Sequence, residues 1–152
     1  MPNPPTGFDH GLTLDAAQII LRETLAEGRR LGLAPLTVVV LDQAGQLKAV
    51  LREDGSSLQR PAIAHGKAFG AIGLGFGGRE LARRSQAMPG FMNSYSDLLG
   101  GSAVPVPGGV LVRGEGGRIL GAVGVSGDAS DKDELAALAG IRAAGLEPDT
   151  GD

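Results

Sequence analysis

The run Leu36-Thr-Val-Val-Val-Leu41, Asp42-Gln-Ala-Gly45, Gln46-Leu-Lys-Ala-Val-Leu-Arg52 decides the fold. Leu36 to Leu41 is apolar and β-branched on both faces, which predicts a buried strand. Asp42 to Gly45 is turn chemistry, and Gln46 to Arg52 alternates in part, so the two strands form a hairpin. A hairpin commits the chain to an antiparallel sheet. Upstream, Thr13 is placed to N-cap a helix in which Leu14, Ala17, Leu21 and Leu25 recur at helical spacing, ending near Gly32. Downstream, Glu53-Asp54-Gly55 turns the chain into helices over about 61–74, 77–87 and 89–99. Apolar stretches Val110–Arg113 and Arg118–Val125 then form a second hairpin around Glu115-Gly116-Gly117, with an optional short strand near Val104. Ser130 with Asp133 resembles a capping box opening a last helix to about Ala144, with Leu135, Leu138 and Ala139 facing inward. The expected class is α+β, an antiparallel sheet with helices packed on it. The expected division is an arm over 1–12, one domain over 13–146 and a tail over 147–152.

Composition narrows the chemistry. The 152 residues hold no cysteine, which removes disulfides, thiolate metal sites and cysteine nucleophiles. A net charge of −3 without a basic stripe argues against nucleic acid. No apolar run approaches the roughly 18 residues that span a bilayer, and the start of the chain lacks a signal-peptide pattern. The expectation is a cytoplasmic chain that binds neither membrane nor nucleic acid. Glycine is the anomaly: 26 residues, more than twice the roughly 7% of an average protein. Six fall between 66 and 78 and ten between 100 and 127, inside ordered-looking elements. They mark places where backbone comes close to another backbone, a ligand or another subunit.

Gly73-Leu-Gly75-Phe-Gly-Gly78 spells a dinucleotide fingerprint but follows a helix, so the βαβ context is missing. The alternatives there are an anion nest with Arg79 beside it, or a plain helix connection. On the Pro61–Leu74 helix, Ala62, His65, Phe69 and Ile72 share one face, while Lys67 points elsewhere, roughly with Ile63 and Leu74. His65 is either a packing residue or a ligand and proton carrier in a pocket. Gly108 and Gly109, after Val104-Pro-Val-Pro107, form a tight bend whose amides could face a carboxylate. Gly121, Gly124 and Gly127 interrupt a β stretch. Ser126 lies outside any hydrolase elbow. Asp128, Asp131, Asp133 and Glu134 cap the last helix, with a general base as the rival role.

Taken together, Val38 to Leu47, Ile63-Ala-His-Gly-Lys67-Ala, Val-Pro-Val-Pro107-Gly-Gly-Val and Gly121-Ala-Val-Gly-Val-Ser-Gly127 with Asp133-Glu134 resemble the GlcG/HbpS family, whose domain also ends PduO-type proteins. The likeness runs over about 12–145. It implies a profilin-like fold, a five-stranded antiparallel sheet sandwiched by helices, and homo-oligomers. It also implies an association with haem or corrinoids and with small-molecule catabolism. Lys67, Gly108, Gly109, Gly121, Gly124, Gly127 and Asp133 fall on the family pattern. The usual Lys-Ala-x-Thr-Ala run reads Lys67-Ala-Phe69-Gly70-Ala71 here and lacks its threonine. The haem ligand differs among members, so His65 is a candidate from its place on the helix alone.

The leading expectation is a small-molecule-binding protein, with haem or an organic anion beside His65, Lys67, Phe69, Arg79, Phe91, Gly108, Gly109 and Gly124. His65 would be the ligand of the haem iron. The bulky residues Phe69, Phe76, Met88, Phe91, Met92 and Tyr95 suggest a single pocket. The rival is a cofactor-free isomerase- or lyase-like enzyme on a small carboxylate or carbonyl compound. In it His65, Lys67 or Asp133 would be catalytic, with Arg79 or Lys67 holding the anion. A third reading is an accessory subunit whose glycine-rich surfaces make only oligomer contacts.

Overall fold

A computed structural model describes residues 11–152; the expected arm up to residue 10, with His10, lies outside the described residues. Helix α1 spans Leu14–Arg30 and opens as expected, the Thr13 hydroxyl accepting from the amide of Ala16. Strands β1 (Thr37–Asp42) and β2 (Leu47–Arg52) form the hairpin, with a register shift between Val40 and Leu41. Helices α2 (Arg60–Leu74), α3 (Gly78–Ala87) and α4 (Pro89–Leu98) follow. Strands β3 (Gly109–Arg113) and β4 (Ile119–Ser126) come next, then α5 (Ser130–Ala143). The sheet is antiparallel throughout, in the order β2-β1-β4-β3-β5.

The fifth strand corrects the expected tail. Glu147–Asp149 is strand β5, paired along β3 from Arg113 to Leu111. Arg113 locks it through an ion pair of 2.7 Å to Asp149. The tail reading followed Pro148, which removes a donor; an edge strand tolerates that loss because one of its sides needs no partner. No strand forms near Val104. Its amide instead donates to the carbonyl of Gly66 on α2. Leu12 is likewise core rather than arm, 2% exposed, its amide donating to Leu120.

Alternation along the strands splits the core into two layers. Val38, Val40, Val110, Val112, Val123 and Val125 face α1 and α5. Val39, Leu41, Leu111 and Ala122 face α2, with α3 and α4 beyond. On α5 the inward residues are Ala136, Ala137, Gly140 and Ile141, whereas Leu135 is 52% exposed. The small face wins because α1 crosses so close that a Cβ on Gly140 would overlap the hydroxyl of Thr24. Ala129 occupies the N-cap position without a side-chain bond, so Ser130 does not cap.

The glycine excess finds its explanation in such contacts. Helix α2 rests on β4 so closely that a Cβ on Gly124 would overlap the carbonyl oxygen of Ala64. On the opposite side of α2, Gly66 and Gly70 admit the 102–104 segment; a Cβ on Gly66 would sit 2.7 Å from Val104. Gly124→Ala therefore lowers unfolding stability by about 1–3 kcal/mol, read by circular dichroism in urea. Gly90→Ala, where a Cβ meets nothing within 4 Å, leaves it equal or raises it by up to about 1 kcal/mol.

Candidate functional site

Two residues of the expected site meet in the interior. Lys67 from α2 and Asp133 from α5 belong to helices on opposite faces of the sheet, and they join where β3 begins and β4 ends. Lys67 Nζ donates to Asp133 Oδ2 at 3.1 Å, with the side chains only 2% and 0% exposed. Asp133 Oδ1 accepts from the amide of Asp128 at 2.8 Å. Burial pulls the Lys67 ammonium below its usual range against the stabilising pull of Asp133. Burial likewise pushes the Asp133 carboxyl up, opposed by the Asp128 amide and by Lys67. Both shifts favour the uncharged forms, so loss of hydration outweighs the attraction in this pair.

Gly108 and Gly109 serve Lys67. A Cβ on Gly109 would overlap the Lys67 carbonyl oxygen, and one on Gly108, at φ +99°, would lie 2.9 Å from Nζ. The space once assigned to a ligand carboxylate is filled by this lysine, and Gly124 is filled by the Ala64 carbonyl of the same helix. Arg79 is engaged too: Nε and Nη2 reach Glu134 Oε1 at 2.8 and 2.7 Å. Glu134 is 2% exposed, and its Oε2 finds no hydrogen-bond partner among the described residues. From the sequence Glu134 is a helix cap or a general base within the acidic run; its ion pair with Arg79 is visible only in the structure.

His65 is set apart from all of these. It lies on α2 two residues from Lys67, hence on the other side of the helix. Its ring is half-buried and stacks on Phe69 with centroids 5.3 Å apart, the planes inclined by 21°. Phe69 in turn packs on Gly45 of the hairpin turn. The surroundings follow from the sheet. Helix α2 lies over β4, β1 and β3 and leaves β2 uncovered. Leu47, Val50 and Arg52 pair with Leu41, Val39 and Thr37, so they point to the α2 side. Leu47 and Val50 remain 59% and 43% exposed there. The strip between these exposed residues of β2 and the Ala62, His65, Phe69, Ile72 face of α2, which meets the hairpin turn at Gly45, is termed the trough below. The alternation of β2 was the available signal for its floor; that α2 would not cover it needed the structure.

The other bulky residues do not join this trough. Phe91 lines a groove of about 460 Å³ with Gly73, Leu74, Ser94, Tyr95, Leu98 and Leu99. Tyr95 spans it to donate to the Gly70 carbonyl at 3.0 Å, and Phe76 holds the Arg84 guanidinium 4.2 Å from its ring centre. The single pocket expected between residues 69 and 95 is thus divided among several places. Among the described residues no three His, Asp or Glu side chains cluster to hold a metal ion, and no helix is long and apolar enough to cross a membrane.

A five-stranded antiparallel sheet covered by helices on both faces defines an α+β sandwich of the kind found in HbpS-like proteins. The family model described as haem degrading protein HbpS-like matches residues 12–142, and the chain belongs to that family. Its fold is shared with a PduOC:heme complex at 22% identity and a TM-score of 0.80, covering 93% of this chain and 99% of that one. A Streptomyces reticuli HbpS double mutant is 30% identical over 89% of this chain and 88% of that one, with a TM-score of 0.77. Klebsiella pneumoniae protein ORFY, of the DUF336 family, is 23% identical at a TM-score of 0.77, over 95% of this chain and 98% of that one. Comparison with curated proteins returns no match.

Removing one partner of the buried pair strands the other. Lys67→Met is expected to cost about 3–5 kcal/mol, and Lys67→Met with Asp133→Leu to recover most of it. In the single variant the Asp133 carboxyl keeps a folded-state pKa above its unfolded value. The folded state then holds the extra proton, and stability present below the unfolded pKa is lost as pH rises through the folded one. Urea denaturation from about pH 4 to about pH 8 should show that fall in Lys67→Met and not in the double variant.

Proposed function

We propose that the protein binds haem, or a similarly flat apolar ligand, in the trough between α2 and β2, with His65 as the residue facing the iron. The observation that carries this reading is the state of His65: an imidazole with no hydrogen bond to any described residue, at an uncovered apolar edge. The donor chemistry suits haem, because a neutral imidazole offers a ring nitrogen as an axial ligand. Phe69 orients the ring by stacking, and Leu47 and Val50 supply apolar surface against which a macrocycle excludes water. Bound there, haem would supply a redox-active iron centre. The heme complex of PduOC and the description of the family support the same reading. The role we infer is an accessory one in small-molecule catabolism, in the cytoplasm.

The enzymatic alternative has His65, Lys67 or Asp133 as its catalytic groups, with Arg79 or Lys67 holding the anion. Exposures of 2% and 0% leave a substrate no contact with Lys67 or Asp133, which favours a structural tie over a reacting pair and leaves His65 as the group a substrate could reach. For the homo-oligomer, the support is the groove on α4, where Phe91 and Leu98 are 51% and 82% exposed beside Leu99.

Titration of the purified protein with haem should develop a Soret band shifted from that of free haem. His65→Ala should abolish the shift while the circular dichroism spectrum stays unchanged. An unaltered band in His65→Ala removes His65 as the ligand. Phe91→Ser with Leu98→Ser should lower the sedimentation coefficient to that of a smaller species; an unchanged value places the subunit contact elsewhere.

A further inference from the structure

One end of the trough carries positive charge that the protein itself leaves without a carboxylate. Arg29, Arg30, Arg79, Arg83, Arg84 and Arg113 are each bound to an Asp or Glu. Among the described residues Arg22, Arg52, Arg60, Arg118 and Arg142 make no such pair, and of these Arg52 and Arg60 are neighbours across the sheet. They stand at the same edge of the fold. Arg52 on β2 pairs in register with Thr37 on β1, and Thr37 with Ser126 on β4. Arg60 opens α2 above this row, its Nη1 donating to Ser126 Oγ at 3.1 Å. The two guanidinium groups thus flank three adjacent strands on the α2 side of the sheet.

Both are held in place by neutral partners. Ser126 is fully buried, and Arg60 is half-buried over it. Arg52 Nη1 reaches the carbonyl of Ser56 at 3.4 Å, and the Ser56 hydroxyl is in turn bonded to Thr37 Oγ1 at 2.8 Å. Each contact uses one of the five N–H donors of a guanidinium, leaving the rest for a bidentate acceptor. Asp54 lines the same cavity as Arg52 without forming an ion pair with it, and the other nearby acids are turned away or absent. Glu53, next to Arg52, directs its oxygens to Arg29 and to the amide of Leu36 at 2.8 Å each. The first turn of α2 contains no acidic residue. Arg60 also acts on the interior, since its charge adds to the effects that depress Lys67. An anion between the arginines would relieve that repulsion.

Resting on the trough reading above, we propose that Arg52 and Arg60 form a carboxylate-binding fork for an organic acid. The acid is either the carboxylate of the molecule lying along α2 or a separate small one. Arg52 follows Val50 by two residues on β2 and so shares its α2-facing side, about 7 Å further along the strand, so a single ligand with an apolar body and an acidic edge spans the floor of the trough and the fork. The ligand class is therefore an amphipathic organic acid, its flat part on Phe69 and its carboxylate on the fork.

The test uses the full chain and two probes. Succinate is titrated into 15N-labelled protein, following the side-chain Nε–H signals of Arg52 and Arg60. In parallel, haem is compared with haem dimethyl ester, whose carboxylates are masked, by Soret titration. Saturable movement of the two arginine signals is expected, together with a preference for the free acid of about tenfold per arginine. Arg52→Gln with Arg60→Gln should erase both effects with the circular dichroism spectrum intact, and the lysine pair should restore part of them. Succinate shifts with equal affinity for acid and ester identify a separate small acid as the ligand of the fork. Succinate shifts without binding of either haem form overturn the trough reading and leave the fork standing. Motionless arginine signals combined with no preference for the acid overturn the fork, as does survival of either effect in the glutamine pair.

Discussion

The backbone of α2 comes so near the sheet that nothing larger than a hydrogen fits between Ala64 and Gly124, and the rest of the structure is arranged around that approach. A helix seated this low must be thin beneath, hence Ala64, Ala68 and Ala71, all fully buried. It must also be thin above, because the 102–104 segment closes over Gly66 and Gly70. Helix propensity is sacrificed for proximity: each interior glycine weakens the isolated helix by about 1 kcal/mol. Tertiary contact makes up the loss, as it does for most helices in folded proteins.

Low seating has an electrostatic corollary. The side chain of Lys67 cannot reach water from where α2 lies, so it runs over Gly108 and Gly109 and finds its carboxylate on a helix of the opposite layer. A buried ion pair is weak evidence for net stability, but it is specific about position. It admits one depth for α2 and one for α5, and it ties the two core layers at the end of the sheet. Two apolar residues could fill the same space without setting that depth.

Much of this was readable in the residues. The hairpin, the helices and the antiparallel sheet follow from β-branched runs and turn chemistry, signals that act over a few residues. The glycines of β4 announce a close approach by backbone or ligand, and backbone it is: α2 meets Gly124, while Leu41 of β1 meets Gly121. Composition shows that space is needed, never what occupies it. Lys67, Asp133, Gly108 and Gly109 stand, with Gly121, Gly124 and Gly127, on the pattern of the family the chain resembles, but burial, which decides their chemistry, depends on contacts between residues 66 positions apart. The Glu147–Asp149 strand was missed because three residues around a proline have no pattern of their own; only the free edge of β3 makes them a strand. His65 with Phe69 was read from helical spacing alone. The floor formed by Leu47 and Val50 required knowing which strand α2 leaves bare.

Tyr95 is the sole tyrosine of a chain without tryptophan, and its phenol rests on the carbonyl of Gly70, one residue along α2 from Phe69. Apart from the weak bands of four phenylalanines, the near-ultraviolet absorption and emission of the protein therefore come from one spot against the helix that the fold depends on. Any absorbing molecule that settles against that helix drains the emission by energy transfer, and any slip of the helix changes the surroundings of its only fluorophore of consequence. The molecule is in effect built as its own optical gauge, dark everywhere except beside α2.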